Sequence, residues 1–145
     1  MSGKQVVTTT FFGRPKEYSP WSAGIVIPPG YGILFTPGMT ARDAEGNTVA
    51  PGDIRGQTRR VLEQLAAVLG EVGATLDDVV KMTVFLQDMD DVHAVQEIRR
   101  QFWATNPPVS STVEVSRLVT EEVRIEIEAV AAIAPSNLAP TAAVV

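Results

Sequence analysis

The sequence predicts an α+β fold, a two-layer sandwich in which two helices cover one face of a mixed β-sheet. The predicted elements run in the order of three strands, a helix, a strand, a helix and two further strands. Each predicted helix carries one apolar stripe, so each has one side to bury against the sheet. The length of 145 residues suits a single domain with one core.

The first part of the chain is predicted to form three strands. Residues 6–12, 24–27 and 31–36 are rich in β-branched and aromatic side chains. A Pro-Pro-Gly run at 28–30 separates the second strand from the third, which predicts that these two strands form a hairpin. A polar loop follows at 41–52.

Helical spacing of apolar residues predicts the two helices. Asp53 is the expected N-cap of the first helix, and Gly73 is its expected end. The acidic run at 88–91 begins the second helix, because negative charge suits a helix N-terminus, and prolines 107 and 108 stop it. The two stripes comprise Ile54, Thr58, Val61, Leu62, Leu65, Val68, Leu69 and Val72, and then Val92, Val95, Ile98, Phe102 and Trp103.

Three alternating segments complete the predicted sheet, at 79–87, 112–118 and 123–133. A short turn near Thr120 predicts that the last two of these strands form a second hairpin. We expect one domain over residues 1–133. Residues 134–145 are small and uncharged and include two prolines, which predicts a flexible C-terminal tail.

The composition disfavours several kinds of site and partner. Twelve Lys and Arg against 17 Asp and Glu give a net charge of −5, which disfavours nucleic acid as a partner. With no cysteine and one histidine, the chain lacks the usual ligands of zinc, and we expect no metal. No G-x-S-x-G nucleophile elbow is present. No apolar run reaches 18 residues, so we expect no membrane partner and a cytoplasmic protein.

The single histidine, His93, and two arginine pairs at 59–60 and 99–100 fall on the predicted helices. His93 lies off the apolar stripe, which predicts an exposed side chain. The arginine pairs are also expected on solvated surfaces, with anion binding as the alternative.

Strand periodicity assigns each side chain to one face of the sheet. The face expected under the helices holds the apolar residues Val80, Met82, Val84, Leu86, Val113, Val115, Val123, Ile125 and Ile127. The other face is expected to hold Lys81, Thr83, Phe85, Ser110, Thr112, Glu114, Ser116, Arg124, Glu126 and Glu128. Such a polar face with an embedded aromatic residue is either solvated or covered by another subunit around a wet cleft.

Two carboxylates on this polar face are candidates for chemistry. Glu114 and Glu126 lie opposite each other if the last hairpin is tight. A pair of carboxylates in a cleft can share a proton, which suits general acid–base catalysis. The alternative is that Lys81, Arg117 or Arg124 neutralises them.

Four segments resemble the motifs of a known family. They are VKMTVFLQDM at 80–89, STVEVSRL at 111–118, VRIEIEA at 123–129, and the turn FTPGM at 35–39 with Gly38. Over residues 5–133, the chain is similar to the RidA/YjgF family of enamine/imine deaminases. The resemblance implies a chorismate-mutase-like fold and a homotrimer. The open sheet faces would form a central β-barrel, with three clefts between subunits, so the polar face would be covered.

The resemblance also implies an activity. Active members of the family hydrolyse reactive 2-imino acids to 2-keto acids and ammonia without a cofactor, so the implied partner is a small-molecule substrate. Glu126 matches the carboxylate that positions water or transfers a proton. Gly38 and Thr112 match positions whose backbone contacts the substrate.

Three site positions depart from the family pattern. The motif P-x-R-S-x-V-E-V reads PVSSTVEV at 108–115, so Ser110 replaces the arginine that binds the substrate carboxylate. A hydroxyl brings no charge, and loss of a charge-assisted contact costs about 1.5–3 kcal/mol. Trp21 replaces the usual tyrosine, and Met39 replaces a polar residue after the turn glycine.

We therefore expect an inter-subunit cleft that binds a small, largely apolar or aromatic molecule. Its chemistry would be cofactor-free acid–base catalysis on an imine, enamine or enol. Glu126 would be the acid/base, Trp21 and Phe85 the stacking walls, and Ser110 a hydrogen-bond donor. The alternatives are a general 2-iminobutanoate/2-iminopropanoate deaminase and a non-catalytic ligand-binding trimer. A ribonuclease role is disfavoured by the acidic composition and the single histidine.

Overall fold

Two α-helices pack on one face of a four-stranded mixed sheet, which confirms the predicted α+β architecture. The computed structural model describes residues 3–7 and 21–138. Within them, the elements are β1 (Gln5–Val7), β2 (Gly24–Val26), β3 (Gly32–Phe35), α1 (Ile54–Gly70), β4 (Val79–Leu86), α2 (Val92–Phe102), β5 (Val109–Glu114) and β6 (Ile125–Ile133).

The main sheet has the strand order β3-β6-β4-β5, with β1 and β2 forming a separate two-stranded ribbon. Strand β6 lies antiparallel to both of its neighbours, β3 and β4. Strand β5 lies parallel to β4, and helix α2 forms the crossover between them. This topology makes β5 an edge strand that follows directly from α2 along the chain.

Both predicted hairpins are wrong. Strand β2 pairs with β1, whereas β3 pairs with β6. Strands β5 and β6 do not pair either, because β4 lies between them. The strands themselves were recognisable from local alternation, but their partners are set by long-range packing, which a local pattern does not specify.

Helix α1 is held at its N-terminus and along its buried side by polar contacts. Asp53 caps it, as predicted, by accepting a hydrogen bond from Gly56 N at 3.0 Å. The fully buried Gln57 accepts from Arg124 N at 2.9 Å and donates to Glu122 O at 2.7 Å and Ala50 O at 3.2 Å. One helix side chain thereby fixes two loops. The helix ends at Gly70 rather than Gly73, although Gly73 has the left-handed φ of 67° typical of a helix exit.

Helix α2 is preceded by a short 3-10 turn at Met89–Asp91, which Asp88 caps by accepting from Asp90 N at 2.9 Å. The predicted stripe is confirmed by the burial of Val95, Ile98 and Trp103, and His93 is exposed as expected. The core between the layers contains Val61, Leu62, Leu65, Leu69, Val79, Met82, Val84, Leu86, Val95, Ile98, Ile125 and Ile127.

Parts of two predicted segments lie outside the described residues. Only 6 and 7 of the strand predicted at 6–12 are described, and they belong to β1. Of the tail predicted at 134–145, the described residues form a 3-10 turn at Pro135–Asn137, where Asn137 Nδ2 donates to Gly73 O at 2.9 Å. Residues 139–145 lie outside the described part.

Candidate functional site

The face of the sheet away from the helices, here called the open face, combines apolar and charged side chains. Register places Phe85 of β4 between Glu126 of β6 and Val113 of β5. Phe35 is 73% exposed, Ile33 45% and Val113 42%, so this face carries apolar surface that the described chain does not cover. A cavity of about 230 Å³ lies on the same face, between Phe35, Thr83, Lys81 and Glu128 among others.

A carboxylate, a glycine turn and an aromatic ring meet on the open face. Met39 N donates to Ile127 O at 2.8 Å, and Ile127 N donates to Met39 O at 3.0 Å, which holds the turn against β6. Gly38 therefore lies directly against Glu126, and a Cβ atom at position 38 would overlap the Glu126 carboxylate. We call Gly38, Met39, Phe85 and Glu126 the Glu126 cluster. Met39 joins it through its backbone, since its side chain packs against the core.

The predicted face of β5 is wrong. Ser110 pairs with Met82 and Thr112 with Val84, and both of these partners point under the helices. Arg99 Nη1 of α2 donates to Ser110 Oγ at 3.1 Å, which confirms that Ser110 faces the helix layer. Alternation alone cannot determine which face of an edge strand is buried when both faces are only partly covered.

The condition for Glu114 and Glu126 to lie opposite each other, a tight last hairpin, is therefore not met. Glu114 lies on the helix side, where its Oε2 accepts from Met89 N at 2.8 Å, whereas Glu126 lies on the open face. Arg124, considered as a neutralising partner, is bound to Asp91, with Nη2 at 2.6 Å and Nε at 3.0 Å from the same carboxylate oxygen.

A second group of predicted site residues lies along the outer edge of β5, which pairs with no other strand within residues 3–7 and 21–138. Ser22 N donates to Pro108 O at 3.1 Å, and Ser22 Oγ donates to Pro107 O, so the half-buried Trp21 lies near the start of β5. Because Val115 N points to Leu86 O on β4, the alternation of the strand directs the N–H groups of Ser110 and Thr112 away from β4, towards the outer edge of β5. We call Trp21, Ser110 and Thr112 the edge cluster.

The structure does not join these two clusters within one chain. Strands β5 and β6 are two strand spacings apart, about 10 Å, with β4 between them. The side chains of Ser110 and Glu126 also lie on opposite faces of the sheet. The edge cluster provides hydrogen-bond donors, and the Glu126 cluster provides a carboxylate and an aromatic wall.

Sequence reasoning missed Arg99. It was expected on a solvated surface, but it is 2% exposed and contacts Ser110. Burial lowers the pKa of Arg99 to about 10, so its guanidinium remains charged at neutral pH. The signal was present in the spacing, because position 99 lies on the same helical stripe as Val92, Val95 and Phe102.

No three histidine or acidic side chains within residues 3–7 and 21–138 cluster so as to hold a metal ion. In the same residues, no helix has both the length and the apolar character needed to cross a bilayer.

Fold and site together define a class: a small α+β sandwich with a carboxylate on the open face of its sheet and hydrogen-bond donors along an edge strand. A family model described as Endoribonuclease L-PSP matches residues 5–133, and the chain belongs to this family, which is also known as RidA/YjgF. A RutC family protein of Pyrococcus abyssi is 39% identical over 128 residues, 88% of this chain and 96% of the relative.

Solved structures agree with this assignment. YyfB of the Rid protein family from Yersinia pestis superposes with a TM-score of 0.75 at 28% identity, covering 90% of this chain and 98% of that one. A member of the YjgF/YER057c/UK114 family from Mycobacterium tuberculosis superposes with a TM-score of 0.62 at 28% identity, covering 90% and 100%. A more distant relative, a 2-iminobutanoate/2-iminopropanoate deaminase of Dermatophagoides farinae, is 26% identical over 92% of this chain and 99% of its own.

Proposed function

We propose that this protein binds a small, largely apolar or aromatic molecule in a cleft between subunits and performs acid–base chemistry on an imine, enamine or enol. Glu126 acts as the acid/base, Phe85 and Trp21 form walls against which the ligand stacks, and Ser110 and the backbone of Thr112 donate hydrogen bonds. The reaction needs no cofactor, because the carbon of an imine is already electrophilic.

The observation that carries the proposal is the position of Glu126. Its carboxylate lies on the uncovered face, between the Gly38 turn and the Phe85 ring, instead of in an ion pair with any residue that the structure describes. Position 38 leaves no room for a side chain, so the turn backbone and the carboxylate lie beside each other. A carboxylate held in this way can take a proton from a bound water or return one to the substrate.

The separation of the edge cluster from the Glu126 cluster within one chain supports a cleft lined by residues of two chains. The edge cluster of one chain has side-chain and backbone donors but no carboxylate, and the Glu126 cluster of another supplies the carboxylate. The exposed Ile33, Phe35 and Val113 supply apolar surface for a contact between copies. A closed ring of three subunits would use each cluster once at every interface.

The test is Glu126→Gln, which keeps the size of the side chain but removes its ability to accept a proton. General acid–base catalysis contributes roughly 10²–10⁴-fold, so turnover of an imine or enamine panel should fall by about that factor while ligand binding stays within about tenfold. Glu121→Gln is the matched control, since Glu121 is exposed in the loop between β5 and β6. Unchanged turnover in Glu126→Gln would remove Glu126 from the mechanism. Absence of turnover in the wild type would favour a ligand-binding trimer.

Deamination of small 2-imino acids is a second candidate, favoured by the similarity to the Dermatophagoides farinae deaminase. Ser110 lacks the positive charge of an arginine, so we expect slow hydrolysis of 2-iminopropanoate generated by an amino-acid oxidase. Ser110→Arg should raise this rate by restoring a forked, charged donor. Fast hydrolysis by the wild type would instead make the deaminase the first candidate.

A further inference from the structure

We infer that the cavity on the open face is a binding site for a small zwitterion with an apolar body, the class to which the free apolar amino acids belong. Lys81 binds the carboxylate of this ligand, Glu128 binds its ammonium group, and Phe35 contacts its apolar part. These three residues belong to one chain and to neither of the two clusters described above. The site is therefore separate from the cleft of the proposed function.

The cavity spans three strands of the main sheet. It has a volume of about 230 Å³. Val130 of β6, one of its lining residues, pairs with Phe35 of β3 on one side and with Lys81 of β4 on the other. Pockets for drug-sized ligands measure about 300–1,000 Å³, so this cavity suits a smaller molecule.

Two opposite charges line the cavity without bridging each other. Glu128 lies directly across from Thr83, and Lys81 is the next residue of β4 on the same face, so the two charged side chains are diagonal neighbours. Neither side chain forms a hydrogen bond or an ion pair with any residue that the structure describes. An ammonium group offers only donors and a carboxylate only acceptors. The pair therefore complements a ligand that carries both charges at short spacing.

The wall of the cavity between β3 and β6 is held in place by hydrogen bonds. Thr36 N donates to Ala129 O at 2.9 Å, and Ala129 N donates to Thr36 Oγ1 at 2.9 Å. The Thr36 hydroxyl in turn donates to Pro37 O at 3.0 Å. A wall that is already ordered lowers the entropy cost of binding, because less of the site has to be fixed by the ligand.

The paired charges select a zwitterion over a simple anion or cation. An anion bound beside Lys81 would also lie near the carboxylate of Glu128, and a cation bound beside Glu128 would lie near Lys81. Each would leave one charge of the cavity without a partner as water is displaced, which weakens binding. Phe35 and Val130 add apolar surface, which favours an aliphatic body over a bare charged group.

The experiment titrates the ¹⁵N-labelled full chain with three probes at low ionic strength and follows its amide signals by NMR. The probes are L-leucine, 4-methylpentanoate, which lacks the ammonium group of leucine, and 3-methylbutylamine, which lacks its carboxylate. We expect the wild type to bind leucine at least about tenfold more tightly than either analogue, the low end of the range for a hydrogen bond to a charged group. The amide signals that shift should be those of residues 81–83 and 128–130.

Two variants should lose complementary parts of this preference. Lys81→Met should abolish the advantage of leucine over 3-methylbutylamine and keep its advantage over 4-methylpentanoate. Glu128→Gln should do the opposite, and Lys81→Arg should stay close to the wild type because it retains the charge. The controls are Arg117→Met and Glu121→Gln, which remove exposed charges in the loop between β5 and β6 and should leave all three affinities unchanged.

Three results would overturn the inference: no binding of leucine by the wild type, signal shifts confined to residues outside the cavity, or preferences that neither variant alters. Lys81 and Glu128 are both exposed, so the variants should keep the fold, which the dispersion of their amide signals checks. Loss of assembly in Lys81→Met without leucine binding in the wild type would assign these charges to a contact between copies. That result would also overturn the inference.

Discussion

The two faces of the main sheet differ in how far the described residues of the chain bury them. On the helix side, α1 and α2 cover the strands so fully that Met82, Val84 and Leu86 have no exposed surface. On the open side, alternate residues of the same strand, Thr83 and Phe85, are only half-buried. Strand β4 therefore contributes one face to the hydrophobic core and the other face to a partly exposed surface.

This difference indicates where stability and where function reside. The helix face is buried by helices of the same chain. Its polar groups, such as the side-chain amide of Gln57, form hydrogen bonds within that chain. The open face carries the Glu126 carboxylate together with apolar side chains that water does not favour. Changes in the core under the helices should therefore alter folding, and changes on the open face should alter assembly and activity.

The largest expected effect is on assembly, and Phe35→Asp tests it. Phe35 is the most exposed large apolar side chain of the open face, and a charge there would be buried without a partner in any contact between copies. Light scattering should give about three chain masses for the wild type and one for the variant. Val119→Asp is the control, because Val119 is 68% exposed in the loop between β5 and β6. A wild-type monomer would contradict the inter-subunit cleft.

The next largest expected effect is a loss of folding stability when a buried residue of the helix face is changed. Gln57→Ala leaves Glu122 O and Arg124 N without their side-chain partner, whereas Ala50 O still accepts from Asp53 N, and each buried unsatisfied group costs about 1–3 kcal/mol. Urea unfolding should show a loss of at least about 2 kcal/mol. Gln101→Ala, which removes an exposed glutamine hydrogen-bonded to Arg59, should change stability by no more than about 0.5 kcal/mol. Equal losses in both variants would contradict the role given to Gln57.

The smallest change in stability is expected from a pair of glycine substitutions. Gly38→Ala places a methyl group on the Glu126 carboxylate and should reduce turnover by roughly tenfold or more, since misplaced catalytic groups lose rate steeply. Gly70→Ala meets no neighbouring atom at the end of α1 and should stabilise the fold by up to about 0.5 kcal/mol without affecting turnover. Full activity in Gly38→Ala would show that the turn does not position the carboxylate.

Local patterns in the sequence are sufficient to predict most helices and strands of the fold. Both helices, the Asp53 cap and the strands at β4 and β6 follow from short-range periodicity and capping chemistry, and the structure confirms them. The pairing of the strands could not be predicted from such local patterns. The ladder of β4 with β6 joins segments about 40 residues apart, and no turn residue between neighbouring strands encodes such a contact.

The candidate site was less predictable than the fold. Glu126 and Phe85 were assigned to the correct face because residues 81–84 of β4 and 125–128 of β6 alternate between apolar and polar side chains, which fixes the face of each strand. In β5, the run of Ser110, Ser111 and Thr112 has no such contrast, and the face was assigned wrongly. Arg99 was missed because an arginine is a surface residue by default, whereas here it is buried and donates a hydrogen bond to Ser110.

The two tryptophans give the protein separate optical reporters. Trp103 is buried, and its indole N–H donates to Leu76 O at 2.9 Å, so its emission responds to unfolding of the helix layer. Trp21 is half-buried near the start of β5, where a ligand or a second chain would alter its surroundings. Replacing Trp103 with phenylalanine leaves a fluorescence signal from the edge cluster alone. Replacing Trp21 leaves one from the core, so the two single-tryptophan variants report ligand binding and folding separately.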